Sequence, residues 1–371
     1  MKIIFFIVAM FPIAANAQLV LTDHKATSKT KKLYNNLNTQ ATRGIMFGHE
    51  DDLAYGVEWW NEKDRSDVKE VVGSYPAVYG WDIGKIGEEN NIDSVSFKDM
   101  KKWMKEAYKR GGVNTISWHL DNLTSGGSSW DKTRTVEHIL PGGKDHSSYL
   151  SKLDLAAKYL KSIKSGFTKI PIIFRPFHEH NGNWFWWGKE HCTEEEYEKL
   201  WRFTVEYLRD EKKLHHLIYA YSPDASRLDM SDANAAYQYG YPGDQYVDVI
   251  GLDDYWNVGR PNNPATPEQQ ELNFISNLEM IDQMAKNKGK IAALTETGQS
   301  GLTNPKWFSE EILNPILKCQ DINISYVLVW RNANAKHCFV PYAGHQAAGD
   351  FKKFQASDRV FFEEDLENIY K

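Results

Sequence analysis

The sequence contains few cysteines, and their number excludes one class of protein. Only three are present among 371 residues, Cys192, Cys319 and Cys338. An odd and sparse set cannot build the disulfide framework of small secreted domains. One bridge among them is compatible with the sequence and would leave a free thiol. None of the three has the spacing of a zinc site or a redox pair.

The chain also lacks a run of basic residues and any segment of low complexity. Lys and Arg number 44 against 50 Asp and Glu, so the formal net charge is -6 at pH 7. A mildly acidic chain without a basic run is poorly suited to bind nucleic acid or anionic lipid. We therefore expect no nucleic-acid partner.

Long apolar runs are absent except at the N-terminus. Lys2 supplies a positive start, Ile3 to Ala14 form an apolar stretch, and Ala15 to Ala17 make a small-x-small cleavage site. This is the organisation of a secretory signal peptide, which is too short to span a bilayer. We expect residues 1–17 to be removed, residues 18–371 to be exported to the periplasm or beyond, and no membrane insertion.

Aromatic residues, by contrast, are abundant at 13% of the chain, including 13 Trp and 19 Tyr. Indole and phenol rings combine an apolar face with a polar handle, so their number suggests a ligand that stacks on rings. A core rich in tryptophan is the alternative interpretation. Trp103 and Trp201 lie on helical faces and are assigned to the core, and Trp59 and Trp60 are assigned to packing.

A short apolar run followed by a helical pattern recurs eight times along the chain. The runs are Gly44 to Asp52, Pro76 to Gly84, Gly112 to Asn122, Ile170 to His180, Leu217 to Asp224, Val247 to Trp256, Lys290 to Gly298 and Ile324 to Asn332. Eight such units predict a (β/α)8 barrel, α/β in class, forming a single domain over residues 18–371. A doubly wound open sheet is disfavoured because no Gly-rich phosphate loop follows the first strand.

The helical patterns carry their own start and stop signals. Thr193 and Glu196 predict a capping box at the start of one helix. Thr266 and Pro267 predict the start of another, which would close at Gly289, and Gly111 is expected just after the end of a third.

Polar and aromatic residues follow each predicted strand. They are His49, Glu50, Asp51, Trp81, Asp82, Trp118, His119, Asp121, His178, Glu179, His180, Tyr221, Ser222, Asp224, Asp253, Asp254, Tyr255, Glu296, Trp330 and Arg331. In a barrel the carboxyl ends of all strands meet at one mouth. Any single residue of this set could simply mark a strand end, but eight polar ends together predict a functional cleft.

Metal-dependent hydrolysis is one chemistry that suits such a cleft. His178 and His180 flank Glu179 and would face the same way on a strand. Further ligands for a divalent metal would be His49, His119 and Asp253. This interpretation is disfavoured because it leaves the aromatic rings without a role, and we expect no metal and no cofactor.

Glycoside hydrolysis is the second chemistry, and it needs a protonated and an ionised carboxyl group beside the glycosidic bond. Glu179 follows strand four and Glu296 ends strand seven, so the two would face each other across the mouth. Sugar rings stack on aromatic faces, which gives a role to Trp184, Trp330 and Tyr255. Phe185 and Trp187 are expected to pack within the loop.

The segment RPFHEHNGNWFWWG, with TETG and YVLVWRN downstream, resembles glycoside hydrolase family 26, the β-mannanases. The resemblance covers essentially the whole mature chain and implies a retaining β-1,4-mannan hydrolase that acts by double displacement. It implies that Glu179 is the acid/base and Glu296 the nucleophile. The substrate-binding residues that it implies are His119, His178, Trp184, Tyr255, Trp330 and Arg331, with Trp130 as a further sugar-binding tryptophan.

The same resemblance suggests how the carboxyl groups are tuned. Tyr255, His178 and Arg331 are expected as donors near the nucleophile Glu296. Apolar walls and the charge of Glu296 predict a raised pKa for Glu179. A Met often follows the acid/base in the family, whereas this chain has His180, to which no role is assigned.

Several properties stay open. Cleavage within the chain and release of mannobiose from an end are both compatible with the sequence, and the loops Ile83 to Val95 and Leu123 to His146 would decide between them. Mixed-linkage β-glucan and β-1,3-xylan are alternative substrates, and a catalytically silent sugar-binding barrel is disfavoured by the presence of both carboxylates. Tolerance of galactose side groups is undetermined, and a monomer is expected.

Overall fold

Eight parallel strands form a closed barrel in the computed structural model, which describes residues 18–319 and 321–371. The strands are β1 (Ile45–Glu50), β2 (Val78–Asp82), β3 (Val113–Trp118), β4 (Ile172–Pro176), β5 (Leu217–Tyr221), β6 (Val249–Asp254), β7 (Ile291–Thr297) and β8 (Ile324–Val329). Each pairs with the next along the chain, and β8 pairs with β1 to close the sheet. The predicted (β/α)8 barrel is confirmed, and the predicted signal peptide lies outside the described residues.

Helices connect the strands around the outside of the barrel. They are α1 (Ser28–Ala41), α2 (Asp67–Val72), α3 (Phe97–Arg110), α4 (Val136–Ile139), α5 (His146–Ser162), α6 (Glu194–Glu206), α7 (Ala233–Tyr237), α8 (Pro267–Lys288), α9 (Asn314–Lys318) and α10 (Ala348–Gln355). Two π-helical segments, Tyr207–Glu211 and Phe308–Leu313, follow α6 and precede α9. Short antiparallel strand pairs join Tyr55–Gly56 to Trp59–Trp60 and Lys164–Ser165 to Thr168–Lys169.

The predicted helix signals are confirmed. At α6 the Thr193 side chain accepts from the Glu196 amide, and the Glu196 carboxylate accepts from the Thr193 amide, which completes the capping box. α8 begins at Pro267 and is followed by Gly289 at φ 64°, a left-handed conformation that glycine adopts at low cost. Gly111 follows α3 in the same way, at φ 109°.

Alternation along the strands divides the core into two layers. On β4, Ile173 joins a cluster inside the barrel, whereas Ile172 and Phe174 join the layer between strands and helices. Tyr34 of α1 and Tyr370 near the C-terminus belong to the inner cluster, where they close the amino-terminal end of the barrel. The carboxyl-terminal end, which we call the mouth, is left for the polar residues.

The three cysteines are free and buried, so the bridge that the sequence permitted is not formed. Burial raises the pKa of the Cys192 thiol to about 12, which leaves it protonated and unreactive at neutral pH. Trp103 and Trp201 are buried as predicted, and Trp59 is buried with its Nε1 donating to Asp67. Within residues 18–319 and 321–371, no helix has the length and apolar character needed to cross a membrane.

Candidate active site

The two carboxyl groups predicted to be catalytic meet at the mouth. Glu296 is near the end of β7 and Glu179 follows β4. One carboxylate oxygen from each, together with one from Asp253, lie within 4.8 Å of one another. This close approach is compatible with the roughly 5–5.5 Å between the carboxyl groups of retaining glycosidases and closer than the roughly 6.5–9.5 Å that inversion requires.

Glu296 is almost fully buried and is held at both oxygens. Arg175 Nη2 donates to Oε1, and the Tyr255 hydroxyl donates to Oε2 at 3.0 Å. Arg175 also donates from Nη1 to Asp253 Oδ2 at 2.8 Å, so one guanidinium joins two carboxylates. A carboxylate fixed in this way has a defined direction of attack.

A bulge in the sheet places these groups. Leu252 of β6 pairs with Leu294 of β7, but the next pair is Asp253 with Glu296, so Thr295 is the extra residue. Thr295 Oγ1 donates to Asp253 Oδ1 at 2.6 Å. Bulges of this kind redirect side chains beside active sites, and here the bulge brings Asp253 level with Glu296.

Glu179 has an unusual backbone conformation, with φ at 53° in the left-handed region. Its amide donates to the Ser222 carbonyl at 2.8 Å, which anchors it to the end of β5. Trp184 Nε1 donates to Glu179 Oε2 at 2.7 Å. Left-handed residues other than glycine persist only where their surroundings hold them, and they concentrate at functional sites.

The pKa of Glu179 is raised well above the usual value for a glutamate. Burial is the largest cause, followed by the negative charges of Asp224, Asp253 and Glu296, while the Trp184 hydrogen bond acts in the opposite direction. Burial and nearby negative charges both disfavour the ionised form of a carboxyl group. The carboxyl group is therefore suited to deliver a proton at neutral pH.

Two histidines border the pair on the side of β3. His119 Nδ1 lies 2.8 Å from Asp82 Oδ2. Burial lowers the pKa of His119, but the charge and hydrogen bond of Asp82 outweigh it and raise the pKa overall. His178 packs edge-to-face against His119 at 4.7 Å between ring centroids. Burial, with the positive charge of Arg175, lowers the pKa of His178 well below its usual value, so this ring is neutral.

The aromatic loop after β4 divides into one ring at the cleft and three that pack. Trp184 is half-buried and contacts Glu179, whereas Phe185, Trp186 and Trp187 are buried. Trp187 Nε1 donates to the His178 carbonyl at 2.8 Å, and Phe185 stacks on Trp187 at 4.4 Å. The expected packing role of Phe185 and Trp187 agrees with these contacts.

His180 lies behind the cleft rather than in it. Its Nε2 is 2.7 Å from the Tyr239 carbonyl and 2.9 Å from the Tyr221 hydroxyl, and the ring stacks on Tyr197 at 4.2 Å. Burial lowers the pKa of His180 to about 4. The side chain is therefore a neutral packing residue that joins the loop after β4 to the segment after α7.

The expectation that His178 and His180 face the same way is wrong. β4 ends at Pro176, and both Phe177 and Glu179 have positive φ values of 49° and 53°, so the strand alternation is lost. His49 is also separate, since its Nδ1 lies 2.9 Å from Asp52. The one candidate metal-binding group in the part of the chain described is Glu179, Asp253 and Glu296, where Arg175 already supplies a positive charge.

The residues after β8 lie beside His119. The Trp330 ring is edge-on to His119 at 6.2 Å. Arg331 Nη2 is 3.0 Å from Asp93 in the loop after β2, and Nη1 donates to the Tyr55 hydroxyl at 3.1 Å. Trp130 stacks on His119 at 5.3 Å and leaves 49% of its surface exposed, so one face is available to a ligand.

The role of Arg175 was not predicted from the sequence. The donors to Glu296 are Arg175 and Tyr255, while Arg331 is bound to Asp93 and Tyr55. A signal was present, because Arg175 lies two residues after Ile173 and therefore points to the barrel interior. An arginine inside a barrel requires carboxylate partners.

Residues 22–311 match the family described as Glycosyl hydrolase family 26. A mannan endo-1,4-beta-mannosidase from Bifidobacterium adolescentis is 32% identical over 93% of this chain and 36% of that protein. Another, from Bacillus subtilis strain 168, is 32% identical over 53% of this chain and 54% of its own length. The chain thus spans between about a third and about half of these two relatives.

Two solved structures share the fold over nearly the whole chain. The GH26 beta-mannanase BoMan26A from Bacteroides ovatus has a TM-score of 0.86 and 40% identity, over 93% of this chain and 98% of that one. The catalytic domain of a GH26 endo-beta-1,4-mannanase from Bacillus sp. JAMB-750 has a TM-score of 0.86 and 32% identity, over 97% of this chain and 98% of that one.

Proposed function

The chain belongs to glycosyl hydrolase family 26, and from this membership we propose that it hydrolyses β-1,4-mannan with retention of anomeric configuration. The observation that carries the mechanism is the close approach of Glu179 and Glu296, whose oxygens lie within 4.8 Å. Glu296 is assigned as the nucleophile and Glu179 as the acid/base. No cofactor enters the proposed reaction.

In the first step, Glu296 attacks the anomeric carbon while Glu179 gives its proton to the leaving glycosidic oxygen. Arg175 and Tyr255 hold the Glu296 carboxylate by its two oxygens, which supports an attack along one direction. The raised pKa of Glu179 supports its role as proton donor. The leaving sugar departs as an alcohol.

In the second step, Glu179 removes a proton from water, which attacks the glycosyl-enzyme and releases Glu296. Esterification removes the negative charge of Glu296, which is one of the charges that raise the pKa of Glu179. The acid/base therefore ionises more readily in the intermediate than in the free enzyme. One carboxyl group can thus act as acid and then as base.

Mannan is proposed as the substrate because the curated relatives are described as mannan endo-1,4-beta-mannosidases. Trp330, Trp130 and His119 form the aromatic wall on which the sugar of the glycone side would rest. Mixed-linkage β-glucan and β-1,3-xylan are less favoured, since neither appears in the descriptions of these relatives. Comparison of initial rates on the three polysaccharides tests this choice.

The decisive test replaces each carboxyl group. Glu179→Ala and Glu296→Ala are each expected to reduce mannan hydrolysis by at least about a thousandfold while the circular dichroism spectrum stays unchanged. The exposed Glu58→Ala serves as the control. Near-wild-type activity in either catalytic variant, or an α-anomer as first product, contradicts the proposal.

The mode of cleavage is tested separately. The Asp93–Arg331 ion pair ties the loop after β2 to the end of β8 and bounds the cleft on that side. Product analysis on mannohexaose and galactomannan distinguishes internal cleavage, which gives mixed oligosaccharides, from release of mannobiose. A parallel reaction in EDTA is expected to proceed at the same rate.

We also propose that the protein is exported to the periplasm or beyond. The support is the N-terminal sequence, in which Lys2 precedes an apolar stretch and a small-x-small site ending at Ala17. Cell fractionation with N-terminal sequencing of the mature protein tests this. A mature chain that begins at Met1 in the cytoplasm contradicts it.

A further inference from the structure

A depression of about 390 Å³ lies on the Glu179 side of the catalytic pair. Its lining includes Glu179, Trp184, Asp224, Arg227, Trp256 and Arg260. Glu296 and the wall formed by His119 and Trp330 are not part of it. Because the acid gives its proton to the leaving oxygen, the sugar that leaves must lie on the side of Glu179.

Two arginines stand at the rim of this depression, each over an indole ring. Arg227 Cζ is 5.4 Å from the ring centroid of Trp184, and Arg260 Cζ is 5.6 Å from that of Trp256. Stacking on an aromatic face limits the conformations of a guanidinium group without using its N–H donors. Both side chains are thereby held in place with donors available.

Neither arginine forms an ion pair with any described residue, in contrast to Arg331 after β8, which is paired with Asp93. Arg260 Nε donates to Asn262 Oδ1 at 3.0 Å, and the guanidinium of Arg227 makes no hydrogen bond within residues 18–319 and 321–371. Most N–H groups of these two guanidinium groups therefore have no acceptor among the described residues. The hydroxyl groups of a sugar are acceptors that suit them.

Asp224, which lines the depression, is hydrogen-bonded to the loop after β4. Asn181 Nδ2 donates to the Asp224 carbonyl at 2.8 Å, and the Asp224 amide donates back to Asn181 Oδ1 at 2.8 Å. Asp224 also accepts from the Ser226 amide at 2.8 Å. The loop that carries Arg227 is therefore tied directly to the loop that carries Glu179, which fixes the distance between donor and acid.

We propose that Arg227 and Arg260 bind the leaving mannosyl residues, by hydrogen bonds from their guanidinium groups to ring hydroxyls. The inference rests on the proposed function, since it assumes that Glu179 protonates a leaving sugar. It assigns the specificity for the leaving chain to the loops after β5 and β6. The glycone side, by contrast, is formed by residues after β3 and β8.

The test compares two substrates that differ in their leaving group. Mannopentaose places sugars in the depression, whereas 4-nitrophenyl β-mannobioside has an activated aryl group and needs no sugar there. Arg227→Ala and Arg260→Ala are each expected to lower kcat/KM on mannopentaose by roughly tenfold or more, the effect of losing a charge-assisted hydrogen bond. On the aryl substrate kcat/KM is expected to change less than about twofold.

The matched control is Arg43→Ala, since Arg43 Cζ lies 5.6 Å from the ring centroid of Phe361 at the far end of the barrel. It should leave both substrates unaffected. Unchanged kcat/KM on mannopentaose overturns the inference. An equal loss on both substrates also overturns it, because the arginines would then only orient Trp184 and Glu179. A wild-type protein that cleaves neither substrate overturns the proposed function itself.

Discussion

At the scale of single residues, the site is a set of carboxyl groups with unequal surroundings. Glu296 has two donors, whereas Glu179 has one donor and three negative neighbours. The two groups are chemically identical, so only their surroundings assign them different roles. Asp224 is the negative neighbour with the largest effect on Glu179.

Asp224→Asn is expected to move the alkaline limb of the kcat/KM profile to lower pH. Burial raises the pKa of Asp224 to about 6, so it is ionised at higher pH and its charge keeps Glu179 protonated. Without that charge the pKa of Glu179 falls, and the acid is lost at a lower pH. The measurement is the pH profile on mannopentaose.

Asp229→Asn removes the charge of an exposed aspartate in the same loop and is the control for this prediction. Its profile should coincide with that of the wild type. An unmoved limb in Asp224→Asn, or one displaced to higher pH, would show that Asp224 does not tune the acid.

Glu50→Gln is expected to stabilise the protein above about pH 4.3, the usual pKa of an unfolded glutamate. Burial raises the pKa of Glu50 well above that value, and the charges of Asp51 and Glu296 add to the effect. Because the pKa of Glu50 is raised in the folded state, ionisation of Glu50 lowers the free energy of unfolding as the pH rises. Gln does not ionise, so the variant avoids this loss. Thermal unfolding across pH 4 to 8 is the measurement.

The Tm of Glu50→Gln should exceed that of the wild type by roughly 2 °C or more at pH 8, and the difference should shrink toward pH 4. Glu58→Gln at the surface should show no such trend. A difference independent of pH would mean that packing, not ionisation, is the cause.

At the scale of elements, the loop after β4 sets the geometry of the acid. Its backbone leaves the strand at Pro176 and passes through left-handed conformations at Phe177 and Glu179. The Trp184 ring then folds back over Gly182, where there is no space for a side chain. The indole reaches Glu179 Oε2 because of this close approach.

Gly182→Ala is expected to reduce kcat/KM on mannan by roughly tenfold to a hundredfold, because a Cβ there would overlap the Trp184 ring and displace it from Glu179. Gly349→Ala, in α10 and with open space around its Cβ position and no left-handed backbone, is a control for glycine replacement. Full activity together with an unchanged tryptophan emission spectrum would contradict this account.

Elements that depend on local sequence patterns were predicted, whereas those that depend on distant contacts were not. The strands, the capping box at Thr193 and the glycine at the end of α8 follow from local patterns, and each is confirmed. The bulge at Thr295 and the left-handed Glu179 depend on contacts with neighbouring strands. Arg175 is the first residue of the segment RPFHEHNGNWFWWG, but its role could not be predicted because it depends on two carboxylates distant in sequence.

At the scale of the whole molecule, the proposed active site and the residues that close the barrel lie at opposite ends. The mouth holds the carboxyl groups, whereas the opposite end is closed by α1 and the C-terminal residues. Tyr370 is buried there, donates from its hydroxyl to the Gly112 carbonyl at 2.9 Å, and contacts Tyr108 at 4.6 Å between ring centroids. Changes at this end should affect folding without affecting the reaction.

Tyr370→Ala is therefore expected to destabilise the fold by about 3–5 kcal/mol while kcat and KM at 25 °C stay near wild-type values. Urea unfolding gives the first quantity, and mannan hydrolysis the second. Lys371→Ala, at an exposed neighbouring position, is the control. A loss of kcat in folded Tyr370→Ala would mean that the two ends of the barrel are coupled.

The bond from Arg175 to Asp253 has a consequence for the whole catalytic cycle. In the proposed reaction Glu296 becomes an ester and no longer balances the guanidinium, and a buried cation without a counter-ion is costly. Arg175 contacts Asp253 through Nη1, separately from its contact with Glu296, so we expect Asp253 to remain its partner in the intermediate. We therefore expect the guanidinium inside the barrel to keep a counter-ion when the glycosyl-enzyme forms, without water or an outside anion entering the core.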